Sequence, residues 1–301
     1  MSIDLNQIKE YGNIELLAKQ LVEGFITGLH KSPYHGFSVE FAEHSLYNVG
    51  ESTKYIDWKV FARTDRLYTK RFEEETNLRA MVLLDNSSSM YYPEKDYAKI
   101  RFSTVCAAAM AYMLQKQRDA VGLCTFSDEI DYFTQARSTV KHIHNLFLYL
   151  QHLMENVPNQ KKTSVAEVIH QVAEKIHKRS MVIIFSDMMD NSSNKDELFS
   201  ALQHLKHNNH EVLLFHVFDA ETEINFNFKE RPTIFIDVES GQEVKASPSQ
   251  VKDFYKQEIQ QRYHDIKMKC GQYKIDMIEV DCRQNIDQVL LPYLIKRRKM
   301  S

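Results

Sequence analysis

A chain of 301 residues has room for one large domain, or for a medium domain with a smaller appendage. Its 43% hydrophobic and 26% charged residues give enough apolar surface for a core and too little charge bias for disorder, and a formal net charge of −3 supplies no global field to recruit nucleic acid or anionic lipid. Cys106, Cys124, Cys270 and Cys282 show no C-x-x-C spacing, which argues against structural zinc; two of them lie in apolar segments, as small buried hydrophobes do.

Residues 1–30 read as one helix, apolar at Ile14, Leu17, Leu21 and Phe25. The stretch Met1-Ser2-Ile3-Asp4-Leu5-Asn6 lacks a basic n-region and an apolar h-region, and no segment approaches the roughly 18 apolar residues of a spanning helix, so the expectation is a soluble cytoplasmic protein. Residues 34–76 carry aromatic and β-branched runs with turn punctuation at Asn48-Val49-Gly50. Trp58, the only tryptophan, reads as a core anchor for this segment, or else as part of a partner surface.

From Leu78 to Arg298 apolar strands alternate with helix-period segments. Met81–Leu84, Ala120–Phe126, Met181–Phe185, Val212–Phe218 and Ile275–Val280 are nearly continuous in apolar character, as strands covered on both faces are. Val165, Val168, Ile169, Val172 and Ile176 recur at helical spacing, as do Ile286, Val289, Leu290, Tyr293 and Leu294, with a kink expected at Pro292. Within this region Ile224–Phe228 and Thr233–Val238 look like strands, with a tight turn at Ser240-Gly241. The basic run Lys296-Arg297-Arg298-Lys299 reads as a solvated helix tail, with phosphate or lipid binding as the alternative.

Strand and helix in alternation predict an α/β fold: a doubly wound, mostly parallel, Rossmann-like sheet with a small β subdomain and an N-terminal helix. The division expected is residues 1–76 for the N-terminal helix and β segment, and 77–298 for the α/β domain with a β-hairpin insertion at about 222–247.

Ligands in such sheets bind outside the carboxyl ends of the strands. The run Ala80–Leu84 ends there in Asp85-Asn86-Ser87-Ser88-Ser89-Met90, where positions i, i+2 and i+4 of a turn can gather a carboxylate and two hydroxyls around one point. Such hard oxygens suit a small divalent cation, although Asp and Ser are also ordinary turn and cap residues. Asp187 follows Met181–Ser186 and emerges at the same edge, or serves as a helix-start residue. Thr163 precedes the capping box Ser164-x-x-Glu167, which leaves its hydroxyl free to face the sheet edge or solvent.

Strand, Asp85-x-Ser87-x-Ser89-Met90, a distant Thr163 and then strand-Ser186-Asp187 is similar to the metal-ion-dependent adhesion site of von Willebrand factor type A domains. Upstream, Gly36-Phe37-Ser38-Val39-Glu40-Phe41, Tyr47-Asn48-Val49-Gly50, Ile56-Asp57-Trp58-Lys59 and Lys70-Arg71-Phe72-Glu73-Glu74-Glu75 resemble the signature of the bacterial domain of unknown function family fifty-eight. Members of that family join such a segment to a von Willebrand A-like domain, and many are encoded beside MoxR-type AAA+ ATPases. The resemblance covers roughly residues 30–295. It implies Ser87, Ser89 and Thr163 as direct metal ligands, with Asp85 and Asp187 coordinating directly or through water. Ser88 stands where many A domains have Gly, and no ligand is lost. The implied ion is Mg²⁺, with Mn²⁺ or Ca²⁺ able to substitute in vitro.

The function expected from these residues is a cytoplasmic adaptor or co-chaperone that binds a MoxR-type AAA+ ATPase, or another protein supplying an acidic side chain, without turnover of its own. A metal-dependent hydrolase or phosphatase using the same site is the alternative. Against it, Ser87 stands where a carboxylate nucleophile chemistry of the haloacid-dehalogenase type wants a second Asp, and there is no G-x-x-x-x-G-K-S/T loop, G-x-S-x-G elbow or H-E-x-x-H helix. His204, His207 and His210 read as surface histidines, and no basic stripe marks a nucleic-acid surface.

Overall fold

The computed structural model describes residues 13–29, 41–47, 56–72, 78–93, 98–155, 164–189, 195–290 and 292. Thr163, the Asn48-Val49-Gly50 turn and the Lys296-Arg297-Arg298-Lys299 run lie outside them. The chain divides into two compact units, residues 28–77 and the remainder.

The larger unit opens with helix α1 (Ile14–Leu29), whose Ile14, Leu17, Ala18, Leu21 and Val22 are buried in the core of that unit. In the smaller unit, strands β1 (Phe41–Leu46) and β2 (Tyr68–Phe72) pair antiparallel, with the short helix α2 (Trp58–Thr64) between them in sequence. Asp57 caps α2: its Oδ1 accepts the Lys59 and Val60 amides at 3.0 and 3.2 Å. Asp65 closes the helix in the left-handed region at φ 56°. Trp58 is 62% exposed, which overturns its reading as a core anchor; it lies in a helix of under two turns with no buried residue, and among the described residues its ring meets Phe61 edge to face, at 6.1 Å.

The α/β unit is built on a six-stranded sheet. Its strands are β3 (Arg79–Asp85), β4 (Ala120–Phe126), β5 (Ile130–Phe133), β6 (Met181–Ser186), β7 (Glu211–Phe218) and β10 (Asp276–Asp281), in the spatial order β10-β7-β6-β3-β4-β5. All neighbours are parallel except β5, which runs antiparallel to β4 at the edge. The expected doubly wound, mostly parallel sheet is what forms. β5 carries no sequence signal of its own, because four residues are too few to show a period.

Successive residues of the central strands feed two separate cores, as period-2 geometry requires. Ala80, Val82 and Leu84 of β3, with Met181, Ile183 and Phe185 of β6, pack on one face beside α1, α3 (Ala98–Lys116), α4 (Val140–Glu155) and Ile286, Val289 and Leu290. Met81, Leu83, Val182 and Ile184 pack on the other, against α5 (Val165–Lys175), α6 (Lys195–His207) and Ile266 and Cys270 of α7 (Pro248–Gln272). The spacing of Val165, Val168, Ile169 and Val172 therefore marks a buried helix face as predicted. All four cysteines are free and buried.

Gly122 in β4 sits where the loop after β5 comes close to the strand. A Cβ there would lie 2.7 Å from Thr134 O and 3.0 Å from Ala136 N, both backbone atoms of the loop after β5, and 2.7 Å from the Met81 side chain. Backbone cannot swing aside as a side-chain tip does, so Gly122→Ala is expected to destabilise by about 1–3 kcal/mol. Chemical denaturation checks this, and a loss below 0.5 kcal/mol would show that the loop yields freely.

Two local readings are corrected. Ile224–Phe228 is not a strand: Ala220–Ile224 form a single π-helical turn, and the hairpin joins β8 (Thr233–Ile236) to β9 (Glu243–Ala246) through a loop with Gly241 at φ 72°. Side-chain bonding defeats the strand. The Asp219 amide donates to Glu223 Oε2 at 2.8 Å and the Thr222 hydroxyl to Asp219 Oδ2 at 2.8 Å, which turns the backbone back on itself. His210 is not a surface residue either; it is 1% exposed, with Nδ1 3.1 Å from the Ser180 amide.

Candidate functional site

The first crossover of a doubly wound sheet leaves β3 and β6 side by side with their connections running in opposite directions, and the crevice beyond their carboxyl ends is where a ligand can enter. Asp85 ends β3 and Asp187 follows β6, so the topology alone brings together two carboxylates 102 residues apart in sequence. Both are fully buried.

The loop after Asp85 is held from several sides. Its backbone crosses to β4 through Asn86 N–H to Phe126 O at 2.6 Å. The Asn86 side chain accepts from the Tyr91 hydroxyl at 2.6 Å and donates to Asp131 at 3.3 Å. With Asn86 fixed, a single 3-10 turn over Ser88–Tyr91 brings Ser87 and Ser89 to one side, their hydroxyl oxygens 3.0 Å apart. Asp85 Oδ1 accepts the Ser87 amide at 3.0 Å and Oδ2 the Ser186 hydroxyl at 2.6 Å. Asp187 Oδ1 accepts the Met189 amide at 3.0 Å. Asp85, Ser87 and Ser89 are thus linked in one hydrogen-bonded group, and the Asp187 carboxylate at the end of the neighbouring strand is close enough for its charge to act on Asp85.

Met188, beside Asp187, adopts φ 53°, a left-handed conformation that costs a non-glycine residue on the order of 1 kcal/mol and persists only where its surroundings hold it. They do: its amide donates to Ser186 Oγ at 2.9 Å and its carbonyl accepts Arg262 Nη2 at 2.6 Å. His216 Nε2 lies 3.1 Å from the Asp187 carbonyl, and burial pushes this imidazole down to about 4, so the ring is neutral.

Four of the five residues predicted for the site are described, and these four are adjacent; Thr163 lies outside the described residues. Its neighbour Ser164 occupies the N-cap position of α5, as expected, but its side chain makes no cap hydrogen bond; instead its amide donates to Ser127 O at 3.0 Å, beside the end of β4.

Sequence reasoning missed the cation at the site. Lys99, in the first turn of α3, is 1% exposed, and its Nζ lies 2.8 Å from Asp187 Oδ2 and 2.5 Å from Glu223 Oε1. Burial opposes the charge, yet the two carboxylates hold this ammonium well above the usual lysine range. Burial alone would raise Asp187, but Lys99 keeps it below the usual carboxylate range. Asp85 has no such partner: burial, and then the charge of Asp187, push it up to about 7. Glu223 is raised as well, by burial and then by Asp187, with Lys99 opposing.

Three carboxylates against one ammonium leave the cluster short of positive charge. Its donor set is all hard oxygen, with neither imidazole nitrogen nor thiolate, which fits Mg²⁺, Mn²⁺ or Ca²⁺ and not a soft metal. A second group, Asp219, Asp281 and Cys282, also converges. There Asp219 is already engaged, since the Arg283 guanidinium holds it from two nitrogens at 2.5 and 3.0 Å.

The strand order, the antiparallel edge strand and a carboxylate-hydroxyl loop at the switch point define a doubly wound α/β domain with a candidate cation site. More closely, the chain belongs to the family described as Protein of unknown function DUF58, which matches residues 43–264. The uncharacterized protein Rv1480 of Mycobacterium tuberculosis is 23% identical over 176 residues, 58% of this chain and 55% of that protein. The uncharacterized protein Mb1516 of Mycobacterium bovis matches with the same figures. The chain spans about half the length of the curated relatives it matches. Among solved structures, the conserved hypothetical protein BatB from Bacteroides thetaiotaomicron aligns with a TM-score of 0.45 and 14% identity over 74% of this chain and 100% of that one. The SpRpn10 VWA domain aligns with a TM-score of 0.35 and 17% identity over 48% and 77%. Among the described residues, no helix is long and apolar enough to cross a membrane.

Proposed function

We propose that the chain is a metal-dependent protein-interaction module, an adaptor that binds a MoxR-type AAA+ ATPase through an acidic side chain of that partner and has no turnover of its own. One observation carries the reading: two buried carboxylates and two hydroxyls from separate loops converge at the switch point of the sheet with a deficit of positive charge. Asp85, Ser87, Ser89 and Asp187 would hold the ion, with Thr163 as a fifth oxygen. A bound divalent cation would supply a Lewis-acidic point with a position open to an oxygen from another protein.

The protein's own groups do the rest. Asp85 is oriented by Ser186 and the Ser87 amide, so it enters any complex already in place. Ser87 and Ser89 offer neutral oxygens and leave charge on the ion uncompensated, which favours an anionic group from the partner. The burial of Ser87 removes competing water from one side.

The test is a pulldown of the candidate ATPase in Mg²⁺, in EDTA, and with Asp85→Ala in Mg²⁺. Association is expected in the first condition and a loss of at least about tenfold in the other two, because a charge-assisted, desolvated contact dominates an interface far more than a rim charge does. Equal association in all three would leave a partner and remove the metal mechanism. No association, together with a phosphatase activity abolished by Asp85→Ala, would favour the enzyme.

A further inference from the structure

We propose that Lys99, tethered by Glu223, is a built-in counter-ion that sets how strongly the site takes up a divalent cation. The inference rests on the metal reading above and concerns residues outside the five expected ligands. Three features support it.

The first is position. Lys99 is buried in α3, with Ile100, Phe102, Val105 and Cys106 at 0% exposure. A lysine in the first turn of a helix is opposed by the helix dipole and, when buried, by loss of water, so it stays there only for specific partners. Its partners are Asp187, 88 residues away, and Glu223, 124 residues away.

The second is the tether. Glu223 reaches Lys99 because Ala220–Ile224 form a π-turn. The turn is pinned by the Asp219 amide on Glu223 Oε2 at 2.8 Å, and Asp219 is itself clamped by Arg283. Glu223 therefore presents one oxygen to the backbone and the other to Lys99, and sets where the ammonium sits.

The third is charge. Lys99 shares Asp187 with the cation that the site would bind, so ammonium and cation compete for one carboxylate. In the ion-free protein Lys99 keeps Asp187 paired and the fold intact; with the ion present its repulsion weakens binding and leaves the site more receptive to an anion from outside. Glu223 moderates that repulsion.

This account gives two substitutions opposite signs. Lys99→Met removes the competing charge and is expected to tighten Mg²⁺ binding by about tenfold or more, while lowering the melting temperature in EDTA and restoring it in Mg²⁺. Glu223→Gln leaves the ammonium less compensated and is expected to weaken Mg²⁺ binding several-fold. Lys99→Met with Glu223→Gln restores balance and guards against a single variant that fails to fold. The measurements are calorimetry with Mg²⁺ alone and thermal melts of the full chain in EDTA and in Mg²⁺. If the wild type binds Mg²⁺ and every variant has the same Kd, or if both single substitutions weaken it, the counter-ion role is overturned and the metal reading stands. If the folded wild type binds no Mg²⁺, the metal reading falls, and this one with it.

Discussion

Replacing Ser87 and Ser89 together by alanine is expected to abolish Mg²⁺ binding in calorimetry while moving the melting temperature in EDTA by no more than a few degrees. The two hydroxyls lie 3.0 Å apart and bond to each other. Removing both therefore takes away donor and acceptor at once and strands neither, the case in which deleting a buried hydrogen bond costs least. The carboxylates keep other partners: Asp85 retains the Ser87 amide and Ser186, and Asp187 retains Lys99 and the Met189 amide. Only the neutral oxygens disappear, so the variant separates metal binding from folding. Undiminished Mg²⁺ binding in the double variant would overturn the ligand assignment.

What was legible before the structure follows from the range of the interactions involved. Asp85, Ser87 and Ser89 lie within five residues of one another after an unmistakable buried strand, and Asp187 follows the next parallel strand but one in chain order; local pattern plus topology suffices for all four. The helix face of α5 was legible for the same reason, since its apolar spacing is written into a single window. Lys99 and Glu223 were not, because each looks locally like a solvated charge and their pairing spans 124 residues. The one signal for Lys99 is its place in the first turn of α3, where the helix dipole disfavours a cation, and Arg101 shares that turn. Glu223 was hidden by its neighbours. Ile224, Phe226 and Phe228 alternate like a strand, yet Phe226 takes φ 50° and packs on Phe228, Phe235 and Tyr255 in an aromatic cluster with ring centroids 4.8–5.7 Å apart. A local hydrogen-bonded turn outweighed a weak β pattern.

Asp187→Ala is expected to be among the most destabilising single changes in the site, with a loss of about 3–5 kcal/mol in urea denaturation measured in EDTA. The cost does not come from the missing side chain's packing. Asp187 and Lys99 are both fully buried, and deletion of the carboxylate leaves an ammonium without water and with Glu223 as its remaining counter-charge. The Met189 amide also loses its acceptor. Asp85→Ala makes a useful contrast, because Asp85 is held by neutral donors, the Ser87 amide and Ser186; stranding those costs about 1–3 kcal/mol. Part of that is regained, since Asp85 also bears the repulsion of Asp187. The ordering in EDTA should therefore be Asp187→Ala well below Asp85→Ala, even though both remove one carboxylate from one cluster. Adding both Lys99→Met and Glu223→Gln to Asp187→Ala should recover part of the loss, because the ammonium and its remaining counter-charge then leave together. If the two aspartate variants are equally stable, or if that triple variant is less stable than Asp187→Ala alone, the buried ion pair is not what holds the switch-point loops together.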